Sequence, residues 1–528
     1  MTNSDISVGA EYWQLSIHDW REILALGTGA EGGPDEPPKF KVLRGRPDVP
    51  LSGTPLLDLE EAGGGVPATG PRTQDLEGPD ELTALLHYSF GFSRVVLGPA
   101  DIWPHHRFVA SARCFFPTEM YVCAREGSGV PAGVYHYDPL HHRLVLLREG
   151  DWTGLLAQAS GTRFDGATYV LALTSMFWKN AFRYRHYSYR LCAQEAGLVS
   201  GNVLAVAEAL GLHGHVHYQF LDEPVNRLLG LSPGTESTMS LVALRPDTSD
   251  AHGEPAPERE QNGELLAQEI PPLTQDWAGP WRQSDREAWS LTLGMDANSM
   301  LESTGAFTWH VPPVPSGDRH TTPVTLPHAP ERRMPLSEAL RRRHSGEIMF
   351  NPLPEDMPAA TLAGIVRDVQ SPYPSDTGPT PYPRLFMIVN AVDGIDPGLY
   401  EAVPGTDTLE QLPSRPVPEL LEELSVIPPS VNLHSANTIL YLVSDHESAL
   451  RRLGNRSYRV LTQDAGVVAQ RVSTRCGSLG FAARIHNGLA AEALERALGL
   501  PEGRQAPLFQ IVVGRRRNNG QYEPEILF

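Results

Sequence analysis

Two apolar stretches of strand length, "EMYVCAR" (119–125) and "LFMIVNA" (385–391), each run through a Gly/Pro turn into a second short strand, "GVYHYD" (133–138) or "GLYEA" (398–402). Each is followed by a segment rich in Ala, Leu and Val at helical spacing, closing on "LGL" or "LGF". A last apolar strand then ends the pattern, "STMSLVALR" (237–245) or "PLFQIVVGR" (507–515). Strand hairpin, long helix, short strand, small helix and final strand predict an α+β unit, and the chain carries it twice.

The helical segments repeat one another in letters as well as in pattern. "SYRLCAQEAGLVS" (188–200) returns as "SYRVLTQDAGVVA" (457–469). Aligning 188–231 with 457–500 needs no gap, leaves 16 of 44 positions identical and sets His217 over His486. Four landmarks in one order indicate a duplicated domain. The expected organisation is an N-terminal extension (1–75), a first unit (76–247), a connector with a packed extension (248–330) and a second unit (331–528). Residues 61–72 read as a flexible loop. Residues 246–285, rich in Pro, Glu and Gln, read as a mobile connector. The tryptophans 277, 281, 289 and 309 imply that part of the following stretch packs.

Composition narrows the class without naming it. A chain of 528 residues exceeds one core, and 41% apolar with 20% charged residues is globular. No apolar run is long enough to span a bilayer, and the N-terminus lacks the basic-then-apolar order of a secretory signal. A net charge of −20 disfavours nucleic acid or an anionic membrane as the main partner. Four cysteines without a CxxC pair fit a reduced compartment, so the cytoplasm is expected. No GxGxxG follows a strand, so no Rossmann-type site is expected. "HGHVH" puts His213, His215 and His217 on one strand face, but no carboxylate or cysteine completes a metal set in sequence, and no metal is expected.

The run "SARCFFPTEMYVCAREGSGVPAGVYHYDPLHHRLVLL" resembles the signature of SagB-type dehydrogenases, flavin-dependent azoline oxidases within the nitroreductase fold. These carry a Ser-Ala-Gly-Ala-Leu-Tyr-Pro-like loop before a Gly-Val-Tyr-His-Tyr-Asp-Pro turn. "WKNAFRYRHYSYRLCAQEAGLVSGNVLAVAEALGL" resembles the next block, and "ALRRRHSGEIMFNPLPEDMPAATLAGIV" resembles the opening of a nitroreductase domain. The resemblance implies two tandem nitroreductase-like domains forming an intrachain pseudo-dimer, with FMN in the interface between them.

It also implies roles. In "RRRHS", Arg343, His344 and Ser345 match the phosphate-binding segment, where a guanidinium fork and a hydroxyl suit a phosphate. Glu347 stands where the family has a basic residue. In "VVGRRRNN" one of Arg515, Arg516 and Arg517 would add a second phosphate contact, Arg515 and Arg517 sharing a side of the strand. The first unit has no Arg-x-Ser opening, so one flavin per chain is expected. Its Ser111, Ala112 and Arg113 would approach that flavin from across the interface, with His106 and Arg107 edging the substrate cleft.

At the family's catalytic Lys-Tyr the chain has Arg183-Tyr184, and arginine is a poor base. Tyr184 as proton carrier, Arg183 acting electrostatically, and Lys179 or His186 replacing the lysine are the alternatives. The implied activity is oxidation of thiazolines or oxazolines in a ribosomally made precursor peptide, beside a cyclodehydratase that makes the ring. An NAD(P)H-fed nitro or flavin reductase and a non-catalytic docking subunit are the competing readings. Monomer and homodimer both stay open.

Overall fold

The strand-length apolar runs form the centres of two sheets of identical plan. A computed structural model of the chain describes residues 3–26, 37–51, 79–95, 104–162, 164, 166–246, 260–275, 277, 287–308, 321–328, 334–346, 350–351, 355–378, 380–426 and 431–516. Nine strands belong to the first copy: β1 (Asp48–Pro50), β2 (Phe92–Val95), β3 (His105–Arg107), β4 (Thr118–Ala124), β5 (Gly133–Asp138), β6 (Arg143–Glu149), β7 (Tyr169–Met176), β8 (Leu212–His217) and β9 (Glu236–Pro246). Seven belong to the second: β10 (Thr322–Thr325), β11 (Arg384–Val389), β12 (Gly398–Ala402), β13 (Thr408–Leu412), β14 (Thr438–Asp445), β15 (Ala482–His486) and β16 (Gln505–Gly514).

The sheet orders are β1-β6-β5-β4-β7-β9-β8 and β10-β13-β12-β11-β14-β16-β15, position for position the same, while β2 and β3 form a separate hairpin. All pairings within the two sheets are antiparallel. Central strands β4, β7, β11 and β14 are buried at every residue, which is why they read as continuous apolar runs rather than alternations. The outermost strand of each sheet comes from outside the expected unit, β1 from the N-terminal extension and β10 from the connector. The extension also packs: the helix Ser7–Ile17 buries Tyr12, Trp13 and Ile17, and Tyr12 and Trp13 pack on Tyr458. In the segment after the connector, Trp289 is buried beside Trp178 and Trp277 is partly buried. Trp281, Trp309 and the loop 61–72 lie outside the described residues.

The echoed letters turn out to be the interface. The long helices Ser188–Ala209 and Ser457–Leu479 cross at Gly197 and Gly466, where backbones touch: a Cβ on Gly197 would stand 2.0 Å from the Gln463 carbonyl oxygen. Each repeated Arg and Gln then reaches into the other copy. Arg190 and Gln194 donate to the Leu508 carbonyl at 2.6 and 3.2 Å. Arg459 donates to the Thr238 carbonyl at 3.2 Å and Gln463 to that of Met239 at 3.1 Å. These bonds, related by the pseudo-two-fold, close one apolar core that runs through both copies. The fold is therefore an α+β intrachain pseudo-dimer.

The symmetry breaks at one ion cluster. Asp222 of the first copy accepts from Arg456 at 2.6 Å and from Arg459 at 2.5 Å, all three buried. Alignment puts Ala491 opposite Asp222 and Tyr187 opposite Arg456, so the other side of the pseudo-dimer has no such cluster. Asp222→Asn removes the carboxylate that pairs with both buried guanidiniums, leaving them only the more distant Asp296, and is expected to destabilise by about 3–5 kcal/mol. Urea unfolding of the variant checks this, and an unchanged midpoint would refute the buried cluster.

Candidate functional site

The second copy delivers Arg343 to the first. The helix Leu336–Arg342 ends as the Arg343 amide donates to Ala339 at 2.9 Å, and the chain then runs along β15, with Ala483 donating to the His344 carbonyl at 3.1 Å. Arg343 is 4% exposed. Its guanidinium donates to the Arg107 carbonyl of the β2–β3 hairpin at 3.3 Å and to Ser345 Oγ at 3.5 Å, and its Nε has no partner. Burial first, then the charge of Arg94, lowers its pKa to about 10. His344 is pushed down to about 2, by burial and then by Arg94, Arg516, Arg343 and His106. Among the described residues, Arg94 and Cys114 are the side chains whose charges act on Arg343. A buried guanidinium in a field of cations with an unsatisfied donor is a seat for an anion.

The first copy supplies the loop that faces this seat. Ser111 Oγ accepts from the Phe116 amide at 3.0 Å and bonds Glu195, while Ala112 opens a single turn through Cys114. Cys114 lies within the field of Arg343 and 3.9 Å from His106 Nδ1. Arg113, Cys114 and Phe116 all have φ near 52°, the left-handed region that side chains disfavour. Arg113 projects to the other end of the loop, where it hydrogen-bonds Tyr184. Tyr184 is half-buried, 6.3 Å ring to ring from Phe115. Burial raises its hydroxyl pKa, while Arg113 and Arg183 pull it back.

The structure therefore gathers Arg343, His344, Ser345, Ser111, Ala112 and Cys114 at one end and Arg113, Arg183 and Tyr184 at the other. Lys179 is placed elsewhere. Its ammonium, 1% exposed, donates to the Lys39 and Phe116 carbonyls at 2.9 and 3.1 Å and to Glu119, so every proton is committed. A base needs a free lone pair, which this lysine lacks. His186 accepts from the Leu291 amide at 3.3 Å and is turned toward that helix instead. Arg515 stacks on Phe481 and pairs with Glu355 at 3.4 Å, away from the anion seat. Because the chain alternates sides as β16 ends, Arg516 is the one facing His344. Arg517 and Glu347 lie outside the described residues. His215 and His217 pair at 3.1 Å, and the described residues hold no three-residue metal cluster.

Arg94 and Glu195 escaped the sequence reading. Arg94 is one cation in the short strand Phe92–Val95, with nothing in its letters to set it apart. Glu195 did leave a signal: an acid inside the apolar "CAQEAGLVS", matched by Asp464 in the repeat. Its carboxyl, raised to about 7 by burial, keeps one oxygen without a partner beneath the Ser111 loop.

FMN fits this arrangement. Its phosphate would suit the guanidinium of Arg343, which has a donor without a partner, and Arg343 with Ser345 would hold it.

Comparison with known proteins agrees with the architecture. Residues 353–515 match the model of the nitroreductase family. The trifolitoxin-processing protein TfxB of Rhizobium leguminosarum bv. trifolii is 32% identical over 173 residues, 31% of this chain and 46% of that one. The microcin B17-processing protein McbC of Escherichia coli is 26% identical over 147 residues, 26% of this chain and 54% of that one. The chain thus spans about half the length of the curated relatives it matches. A crystal structure of a nitroreductase-like protein from Anabaena variabilis superposes with a TM-score of 0.72 at 21% identity, covering 97% of this chain and all of that one. No helix among the described residues is long and apolar enough to cross a membrane. With the doubled sheet plan, the motif order and these matches, the chain has the nitroreductase fold twice in tandem and is similar to SagB-type proteins of the nitroreductase superfamily.

Proposed function

We propose that the chain is an FMN-dependent azoline dehydrogenase that oxidises thiazoline or oxazoline rings of a ribosomally made peptide to thiazoles or oxazoles. The observation that carries this reading is the buried, unsatisfied Arg343 at the junction of the two copies, facing a loop that leads to Tyr184. Similarity to a trifolitoxin-processing and a microcin B17-processing protein supports the substrate class. The same similarity supports two partners, the azoline-bearing precursor peptide and a cyclodehydratase that makes the ring.

Bound FMN supplies the hydride acceptor. The residues do the rest. Arg343 and Ser345 would hold the phosphate, and the Ser111–Cys114 backbone would offer close approach to the ring system. Aromatisation also releases a proton, and Tyr184 Oη would move it, a role supported by its bond to Arg113. Arg113 and Arg183 favour its phenolate, which offsets what burial costs. Lys179 keeps a structural part, tying Glu119 of β4 to the Lys39 and Phe116 carbonyls.

The test is a purified sample, its visible spectrum, and the mass of any released chromophore, followed by turnover of a thiazoline peptide. Stoichiometric FMN and azole formation are expected. Tyr184→Phe should keep the flavin and lower kcat by about 10²–10⁴-fold. A colourless protein that takes up no added FMN would sink the reading in favour of a docking subunit. Rapid bleaching by NAD(P)H without peptide oxidation would replace it with a reductase.

A further inference from the structure

Two arginines occupy backbone positions suited to glycine, and both flank Tyr184. Arg113 has φ 52° and ψ 25°. Arg185 has φ 47° and ψ −124°, a conformation side chains rarely adopt, and at the equivalent place the second copy has Gly454 with φ 63° and ψ −153°. The strain at Arg185 is held from two sides: its amide donates to Ala181 at the end of the helix Trp178–Tyr184, and its carbonyl accepts from Thr292 Oγ1 at 3.4 Å. Glycine serves the backbone there, as the repeat shows, so a side chain kept at this cost implies that the side chain has a use.

Arg183 lies between them in the sequence, exposed on the last turn of the helix. Arg113 bonds Tyr184, Arg183 acts on the same hydroxyl, and Arg185 adds its charge beside His186. Arg113 and Arg183 are exposed, Arg185 partly so. Among the described residues none of the three has a carboxylate in ion-pair range, although the chain carries 63 acidic residues against 43 basic ones. Arg113 and Arg183 share one hydroxyl and Arg185 follows two residues on, and like charges gathered so in an acidic protein repel one another until a counter-ion arrives. Phe115 and Phe182, with ring centroids 4.8 Å apart, give the same rim an apolar floor.

We infer that Arg113, Arg183 and Arg185 form a carboxylate-reading rim, and that the preferred substrate is a peptide with an acidic residue beside the ring to be oxidised. This rests on the proposed azoline oxidation and adds the substrate's charge to it. Beyond the pull of Arg113 and Arg183 on the Tyr184 hydroxyl, the rim acts on binding. It draws the acidic segment in and holds it across Phe115 and Phe182, which delivers the neighbouring ring to Tyr184. Attraction of this kind acts on encounter and KM and weakens with salt.

The test uses three thiazoline peptides that differ only in the residue beside the ring: Glu, Gln or Lys. The Glu peptide is expected to exceed the Gln peptide in kcat/KM by about tenfold at low salt, with Lys poorest and the gap narrowing at high salt. Arg183→Glu and Arg185→Glu should move the preference toward the Lys peptide, a reversal that simple loss of folding cannot produce. Arg185→Gly should narrow the Glu-over-Gln ratio without lowering Tm. Equal kcat/KM for all three peptides, or ratios unmoved in both charge reversals, would overturn the rim. Binding of the same peptides by fluorescence anisotropy needs no turnover. Absence of oxidation with a preserved Glu preference therefore condemns the azoline reading alone, and absence of the preference condemns the rim.

Discussion

Gly197→Ala is expected to separate the two halves of the chain or unfold it. The new methyl would sit 2.0 Å from the Gln463 carbonyl oxygen and 2.5 Å from its Cα, and both are backbone atoms of a buried helix that cannot swing away as a side chain could. Overpacking a core with extra methylenes costs about 1–3 kcal/mol when side chains yield. Here the whole helix pair must move apart, which also breaks the Arg190, Gln194, Arg459 and Gln463 bonds across the interface. The cost should exceed that range and take a large part of a typical stability of about 5–15 kcal/mol. Gly201→Ala, whose methyl would meet Val467 backbone atoms at 2.9 Å, should be milder. Gly154→Ala, in an exposed helix with nothing within 4 Å, should gain up to about 1 kcal/mol. Thermal melts of the three variants check the ranking, and a Gly197 variant as stable as the parent would show that the helices do not cross there.

Arg343→Met separates binding from stability with opposite signs. In the flavin-free protein the guanidinium is buried among cations, with one donor unsatisfied. Such a group costs about 1–3 kcal/mol or more, and methionine keeps the apolar stem while removing that cost. The apo variant should therefore melt no lower than the apo parent. Its affinity for FMN should fall by about 100-fold or more, since one or two charge-assisted bonds to phosphate are lost. Fluorescence titration of FMN gives the first quantity and apo-protein melts give the second. A variant that loses both flavin and stability would make Arg343 a structural residue, and one that keeps its flavin would remove the phosphate role.

What the letters disclosed depended on whether a constraint was local. The doubling was readable because the residues that build the interface, Arg190, Gln194 and Gly197 with their counterparts, are the same residues that make the echo. The buried strands were readable because burial on both faces writes an unbroken apolar run. The anion seat was half readable. Arg343 and Ser345 stand in a short motif, but Arg94 joins them only through the β2–β3 hairpin folding against the other copy. Lys179 shows the opposite limit. A lysine near a catalytic motif looks available in sequence, and only the fold reveals that Glu119 and two carbonyls already hold it. The choice between Arg515 and Arg516 hung on which side of β16 each falls, a matter of one residue of alternation.

The crossing at Gly197 and Gly466 joins two parts of one polypeptide, and this alters the order of the assembly reaction. A site shared by separate subunits forms by collision, so it is lost on dilution. Here the halves meet in a first-order step, and the connector sets their effective concentration. Completion of the anion seat should be independent of how much protein is present, down to levels at which a non-covalent pair would have come apart.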